Sequence, residues 1–237
     1  MQIRSLTVIV LMLISLEVIA QNSFYLGLNL YPNYSSRRLI ALSNISIPEI
    51  DSIETRETSR PSWSAGVAMG WRSQKLGFQI GLDYMDSGYR TVKEDLPEDD
   101  PRSGTAGKQR IIFQGQYLSV PMEVHFYQQL SERSDFYFMM GAAASYNIGN
   151  SFNTRYYAGE NDELVRMAEE KSEYRGVNMA FQSGMGWAYD LSDNLRLSLQ
   201  PTFMFWMRGV LKENDLNRNL YSMGLRLGLM FQKTAEY

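Results

Sequence analysis

Glu123 and His125 are the residues whose types and spacing best suit chemistry. Two positions apart on a strand, they project to the same face. A carboxylate beside an imidazole there is the pair a general base requires. Asp83 falls on the same face of a neighbouring stretch. No serine is placed to complete a triad, and His125 stands close to the short turn that opens at Gln128. A catalytic pair belongs at the rim where substrate arrives. A packed polar network is therefore preferred over catalysis for these residues.

The remaining motifs carry less. Gly104, Gly107 and Lys108 resemble a phosphate-binding loop but lack its spacing and its strand–loop–helix setting. Glu94, Asp95, Glu98, Asp99 and Asp100 could hold a divalent ion bridging lipopolysaccharide; a solvated charge run is the preferred reading. With zero cysteines and one histidine, disulfides, thiolate sites and multi-histidine metal sites are excluded, and no cofactor is expected. A formal charge of -3 without a basic stripe excludes a nucleic-acid partner.

The elements that must position Glu123 and His125 follow from the N-terminus onward. Met1 to Ala20 has the pattern of a cleaved secretory signal: Arg4, an apolar core from Leu6 to Leu16, and a small-residue end at Ala20. No later segment approaches the roughly 20 apolar residues of a spanning helix. A chain exported in this way crosses a membrane with strands or not at all.

Strands are what the rest of the sequence describes. Leu195, Leu197, Leu199, Phe203, Phe205 and Met207 alternate with Arg196, Ser198, Gln200, Thr202 and Arg208. Met223, Leu225, Leu227, Leu229 and Phe231 alternate with Gly224, Arg226 and Gly228. The same period of two marks stretches starting near Phe24, Ser62, Leu76, Ile111, Asp135 and Glu173. Pro121 predicts a bulge or bend in the fourth. Long polar loops at 35–61, 91–110 and 149–172 alternate with short turns at 73–75, 128–134 and 190–194, and part of the third loop, 162–171, suits a helix. The pattern predicts an all-β, eight-stranded antiparallel up-and-down transmembrane β-barrel over 21–237. Long loops would be extracellular, and short turns and both termini periplasmic.

A water-soluble barrel that holds a ligand also has eight strands, but with the faces reversed. Here the apolar parity carries almost no charge, with Asp86 the exception, as lipid demands. The other parity collects Asp83, Glu123, Arg196, Arg226 and most strand glycines, as a narrow interior demands. Glu123 and Arg226 are predicted to meet across the lumen, with Arg196 nearer the turns and Asp83 higher as a second acceptor. Such a network would plug the barrel and leave function to loops and partner contacts in envelope integrity, adhesion or secretion. A small ion-conducting pore is the alternative.

Three stretches carry a family resemblance: Ala20-Gln21-Asn22, Tyr117-Leu118-Ser119-Val120-Pro121, and Tyr221 to Phe231. They resemble outer-membrane β-barrel proteins of the PorT type from Bacteroidetes and, more distantly, the OmpA and OmpX barrels. The resemblance implies a location in the outer membrane of a Gram-negative bacterium. The expected partners are membrane lipid and lipopolysaccharide and the barrel-assembly machinery, with secretion or surface proteins as further candidates; the secretion role of PorT itself is not carried over, because no residue here reports it. Asp51-Ser52-Ile53 matches the Asp-Ser/Thr-aliphatic sequon for O-glycosylation in that group, with Ser52 as acceptor. Asn44-Ile45-Ser46 matches an N-glycosylation acceptor.

Overall fold

The structure is a computed structural model that describes residues 23–43, 45–104, 107–157, 162–168, 171–213 and 215–233. The expected signal at Met1–Ala20, and Asn44, lie outside these residues. Eight long strands form the wall: β1 (Ser23–Ala41), β2 (Arg60–Arg72), β3 (Leu76–Thr91), β4 (Lys108–Ser131), β5 (Ser134–Tyr157), β6 (Val177–Ser192), β7 (Leu195–Trp206) and β8 (Leu216–Lys233). Each pairs antiparallel with the next. Pairing of β1 with β8, from Phe24 opposite Lys233 to Ala41 opposite Leu216, closes the ring. Closure leaves no strand edge unpaired in the wall, which a sheet in lipid requires.

Alternation decides the faces. Leu26, Leu28, Val67, Met69, Leu82, Met122, Phe138, Met179, Leu199 and Leu227 point outward and are exposed. Their chain neighbours point into the barrel, where Gln79, Glu123, His125, Gln182, Arg196, Gln200 and Arg226 are buried. The protein is thus apolar outside and polar within.

Interior tyrosines lie flat over glycines on the next strand. A Cβ at Gly70 would collide with the Tyr25 ring, and one at Gly186 would collide with the Tyr137 ring. No side chain larger than hydrogen fits at either position.

Several expectations need correction. Pro121 makes no bulge: the β3–β4 register is the same on either side of it, with Ile80 opposite Met122 and Asp83 opposite Ser119, and the ladder is interrupted only at Gly81 and Leu82. Gly81, with no side chain, stands where the proline ring needs room, since a Cβ there would meet Pro121 Cγ at 3.1 Å. Asp86 does not face lipid; it is buried, with Arg60 Nη1 2.9 Å from its Oδ1 and Gln114 donating to Oδ2 at 2.8 Å. The described residues of the third loop form no α-helix at 162–168. Glu163–Ala168 forms a strand on the extended end of β5, with Val165 opposite Thr154 and Leu164 opposite Arg155, followed by a 3-10 turn at Lys171–Glu173. The apolar residues there, Leu164, Val165 and Met167, find a ready sheet edge.

The strands also run further than expected, so that β4 and β5 form a hairpin tower at the long-loop end. The first loop carries a helix, α1 (Ile47–Arg56), with Pro48 in its first turn, where a missing amide hydrogen is harmless. Arg56 at its end grips Glu94 through two hydrogen bonds, Nε to Oε1 at 2.7 Å and Nη2 to Oε2 at 2.6 Å. Near this end the interior turns apolar, with Met85, Tyr89, Phe113, Tyr117, Met204, Trp206 and Leu220 in one cluster.

Two outcomes are expected from this architecture. Leu199→Arg, on the outward face, should destabilise the barrel by about 2–4 kcal/mol if it lies near mid-membrane, while Leu199→Phe should be nearly neutral; folded fraction in lipid vesicles, read by heat-shifted gel mobility, measures both. The guanidinium of Arg56, hydrogen-bonded to Glu94, holds that carboxyl below the usual carboxylate range. A depressed folded-state value stabilises at pH above the unfolded value of about 4.3 and is lost as pH falls through the folded one. Protection factors of the α1 amides should therefore hold from pH 7 to about pH 5 and fall below about pH 4, and Glu94→Gln should abolish that step.

Candidate functional site

Glu123 is the centre of the lumen. It lies on β4, 3 % exposed, with its side chain directed across the barrel. Arg226 of β8 donates Nη1 to its Oε1 in a very short contact. Gln182 of β6 donates to the same oxygen at 2.9 Å. His125 Nε2 lies 2.8 Å from Oε2, and Gln79 of β3 donates to Oε2 at 3.2 Å. These groups, one from its own strand and the others from three more, fill the roughly four lone-pair positions of an ionised carboxylate.

This occupancy determines the histidine. An ionised carboxylate only accepts, so His125 Nε2 carries the hydrogen. Nδ1 then faces the Tyr127 hydroxyl at 3.1 Å, and the ring stacks on Tyr137 with an interplanar angle of 16°. Both ring nitrogens are engaged. Neither Glu123 nor His125 keeps a lone pair for a substrate, and both are shut inside the wall. The arrangement positions charge and leaves no general base free.

Arg226 also donates Nη2 to Gln182 Oε1 at 3.3 Å and lies 5.6 Å from the Tyr31 ring centroid. Asp83 is buried near by on β3, and its Oδ1 has no hydrogen-bond partner among the described residues. It is not a member of the bonded cluster.

Arg196 is not in that cluster either. It forms a second layer at the short-turn end, donating Nη2 to Asp135 in a very short contact and Nη1 to Asp190 Oδ1 at 3.1 Å. Arg72 Nη2 reaches the same Asp135 oxygen at 2.6 Å, and its guanidinium lies 4.3 Å from the Tyr127 ring centroid. Sequence reasoning missed Asp135, Arg72 and Tyr127. For all three the signal was present, since Asp135 shares the inward parity of Tyr137, Tyr127 that of His125, and Arg72 that of Gly66 and Gly70.

The other candidate positions lie at the long-loop end. Ser52 is exposed on α1 rather than in an irregular loop, and its carbonyl accepts from Thr55 Oγ1 at 2.9 Å. The stretch between Gly104 and Gly107 falls partly outside the described residues. Among the described residues, no group of three or more His, Cys, Asp or Glu is placed to hold a metal ion.

Breaking the central pair tests its energetics. Glu123→Ala and Arg226→Ala should each cost about 3–5 kcal/mol, because each leaves a buried charge unanswered. The double variant should cost clearly less than the sum, since the two groups share one interaction. Urea unfolding of the four proteins in lipid measures the cycle; additive losses would show that the two residues do not act together.

Comparison with known proteins places this geometry. Residues 19–206 match the family model described as outer membrane protein beta-barrel domain. No curated protein matches the chain. Among solved structures, Neisserial surface protein A is 15% identical, with a TM-score of 0.46, over 88% of this chain and 96% of that one. The outer membrane protein OprG from Pseudomonas aeruginosa is 10% identical, with a TM-score of 0.45, over 91% and 97%. A major outer membrane protein from Thermus thermophilus is 12% identical, with a TM-score of 0.45, over 90% and 99%. The family match covers most of the chain and stops at Trp206, before β8, and on that match the protein belongs to the outer membrane β-barrel family.

Proposed function

We propose that the protein is a non-enzymatic barrel with a closed lumen that works through its long-loop end. The observation that carries this reading is the crossing of the lumen by bonded side chains at two levels: Arg226, Gln182 and His125 on Glu123, and Arg72 and Arg196 on Asp135. A hydrated path would have to break charge-assisted hydrogen bonds at both levels, and these are about twice as strong as neutral ones. The long loops face the cell exterior, the short turns and both termini face the periplasm, and lipopolysaccharide and the barrel-assembly machinery are the envelope partners. Supporting this orientation, the helix α1, the strand Glu163–Ala168 and the β4–β5 tower all lie at one end, whereas among the described residues the strands at the opposite end are joined by tight turns. Secretion or surface proteins, as in the PorT-type relatives that the sequence resembles, would engage that elaborated end.

Planar-bilayer recording tests the closed lumen. The purified protein should give no sustained channels, and Glu123→Ala/Arg226→Ala should conduct if it folds. Stable unitary currents from the unaltered protein would move the reading to an ion-conducting pore. Protease added to intact cells tests the orientation: cleavage should fall within 91–110 or 149–172 and spare the turns at 73–75 and 193–194, and the reverse pattern would invert the topology.

A further inference from the structure

On the outward face of the β4–β5 tower, arginine stands directly opposite arginine. Arg110 of β4 pairs with Arg155 of β5. Side chains at opposed positions share a face, with Cβ atoms about 4.5–5.5 Å apart, and like charges there repel. Arg90 of β3 is opposite Ile112, which makes it a diagonal neighbour of Arg110 at about 7–8 Å. Arg166, on the strand Glu163–Ala168, is opposite Asn153, and Asn153 is opposite Ile112. Lys108 takes the next position on the same face of β4. Five cations thus share one face of a chain whose formal charge is -3.

Among the described residues, the carboxylates on strand positions of this face are Asp86 and Asp95. Asp86 is engaged by Arg60 at 2.9 Å, and Asp95 lies 3.8 Å from Lys108. Arg90 donates Nε to the Ser59 carbonyl at 2.8 Å. The Nε of Arg110 is buried and has no hydrogen-bond partner among the described residues. We infer that this face binds the phosphate groups of a membrane glycolipid. A phosphate seated between Arg110 and Arg155 turns a repulsive pair into two charge-assisted contacts, and the planar guanidinium fork matches phosphate oxygens two at a time.

Height along the wall selects the carrier of that phosphate. On β3 the outward apolar run ends at Tyr84, opposite Leu118 of β4, and the Tyr84 ring packs on Trp63 with centroids 5.4 Å apart. Aromatic girdles of this kind mark the edge of the hydrocarbon layer. Arg90 comes six residues after Tyr84, about 20 Å along a strand. A tilt of about 35–45° leaves a rise of about 15 Å. The headgroup layer of a simple phospholipid is only about 5–8 Å deep. A phosphate level with Arg90 and Arg110 is therefore carried on the saccharide part of a lipid, while its acyl chains lie against the apolar wall below. The inference rests on the proposed placement of the long-loop end at the cell exterior and deepens it by giving lipopolysaccharide a site.

Calorimetric titration of the purified full chain in zwitterionic detergent micelles tests the site. Micelles have no sides, so the result is independent of the barrel's orientation in cells, which the protease experiment reads separately. Four probes separate the sources of phosphate: lipopolysaccharide, dephosphorylated lipopolysaccharide, phosphatidylglycerol and inorganic phosphate. Lipopolysaccharide should bind at least ten-fold tighter than each of the other three. Arg110→Gln/Arg155→Gln should weaken it at least ten-fold, whereas Arg208→Gln/Lys212→Gln, which removes as much charge from the loop after β7, should leave it unchanged. Without lipopolysaccharide, Arg110→Gln/Arg155→Gln should fold at least as well as the unaltered protein by heat-shifted gel mobility, because it relieves a repulsion. Absent lipopolysaccharide binding, equal binding of any other probe, or equal losses in the two double variants would overturn the inference.

Discussion

The pairing of β1 with β8 is the contact on which everything else depends. In lipid no water is available to a bare strand edge, and an unpaired amide or carbonyl there costs several kcal/mol. The ladder from Phe24 and Lys233 to Ala41 and Leu216 removes both edges at once. Closure also creates the interior. Once the wall is a ring, alternate side chains of all eight strands must share one narrow space, and every inward residue is in contact with residues far away in sequence.

That crowding explains the composition of the two faces. Outward positions meet hydrocarbon and are filled by Leu, Val, Met and Phe. Inward positions cannot all be large. Glycines at 70 and 186 make room for the rings of Tyr25 and Tyr137, and Gly81 makes room for the ring of Pro121. Many of the polar residues that remain are bonded to each other. Glu123 is the clearest case, with Arg226, Gln182, His125 and Gln79 converging on one carboxylate. The same carboxylate and imidazole that look like a catalytic pair in sequence are thereby saturated and enclosed.

Beyond the membrane the logic of the faces changes. From Tyr89 and Phe113 upward the interior is aromatic, and charges are bonded at the periphery: Arg37 and Arg218 on Glu57, Arg60 on Asp86, and Arg56 on Glu94. This end resembles the core of a water-soluble domain set on top of a barrel. It is also the end that holds the cavity lined by Tyr89, Phe113, Phe152 and Tyr174.

The sequence by itself determined the barrel. A period of two repeated eight times, with charge almost confined to one parity and loops alternating long and short, leaves little freedom for a chain whose described residues include no helix long and apolar enough to span a membrane. It also determined which residues point inward, because that follows from parity alone: Asp83, Glu123, Arg196 and Arg226 are all interior. Which of them touch was decided by tertiary structure. Contact across a closed ring depends on strand stagger and tilt, and these are properties of all eight registers together. That is why Arg226 reaches Glu123 while Arg196 turns to Asp135 and Asp190, and why Asp83 stays outside the bonded cluster. The long-loop end was the least legible part. The strand at Glu163–Ala168 and the burial of Asp86 arise from partners supplied by distant segments, Thr154 and Arg155 in one case and Arg60 and Gln114 in the other. A local pattern cannot announce a partner that only the folded ring brings near.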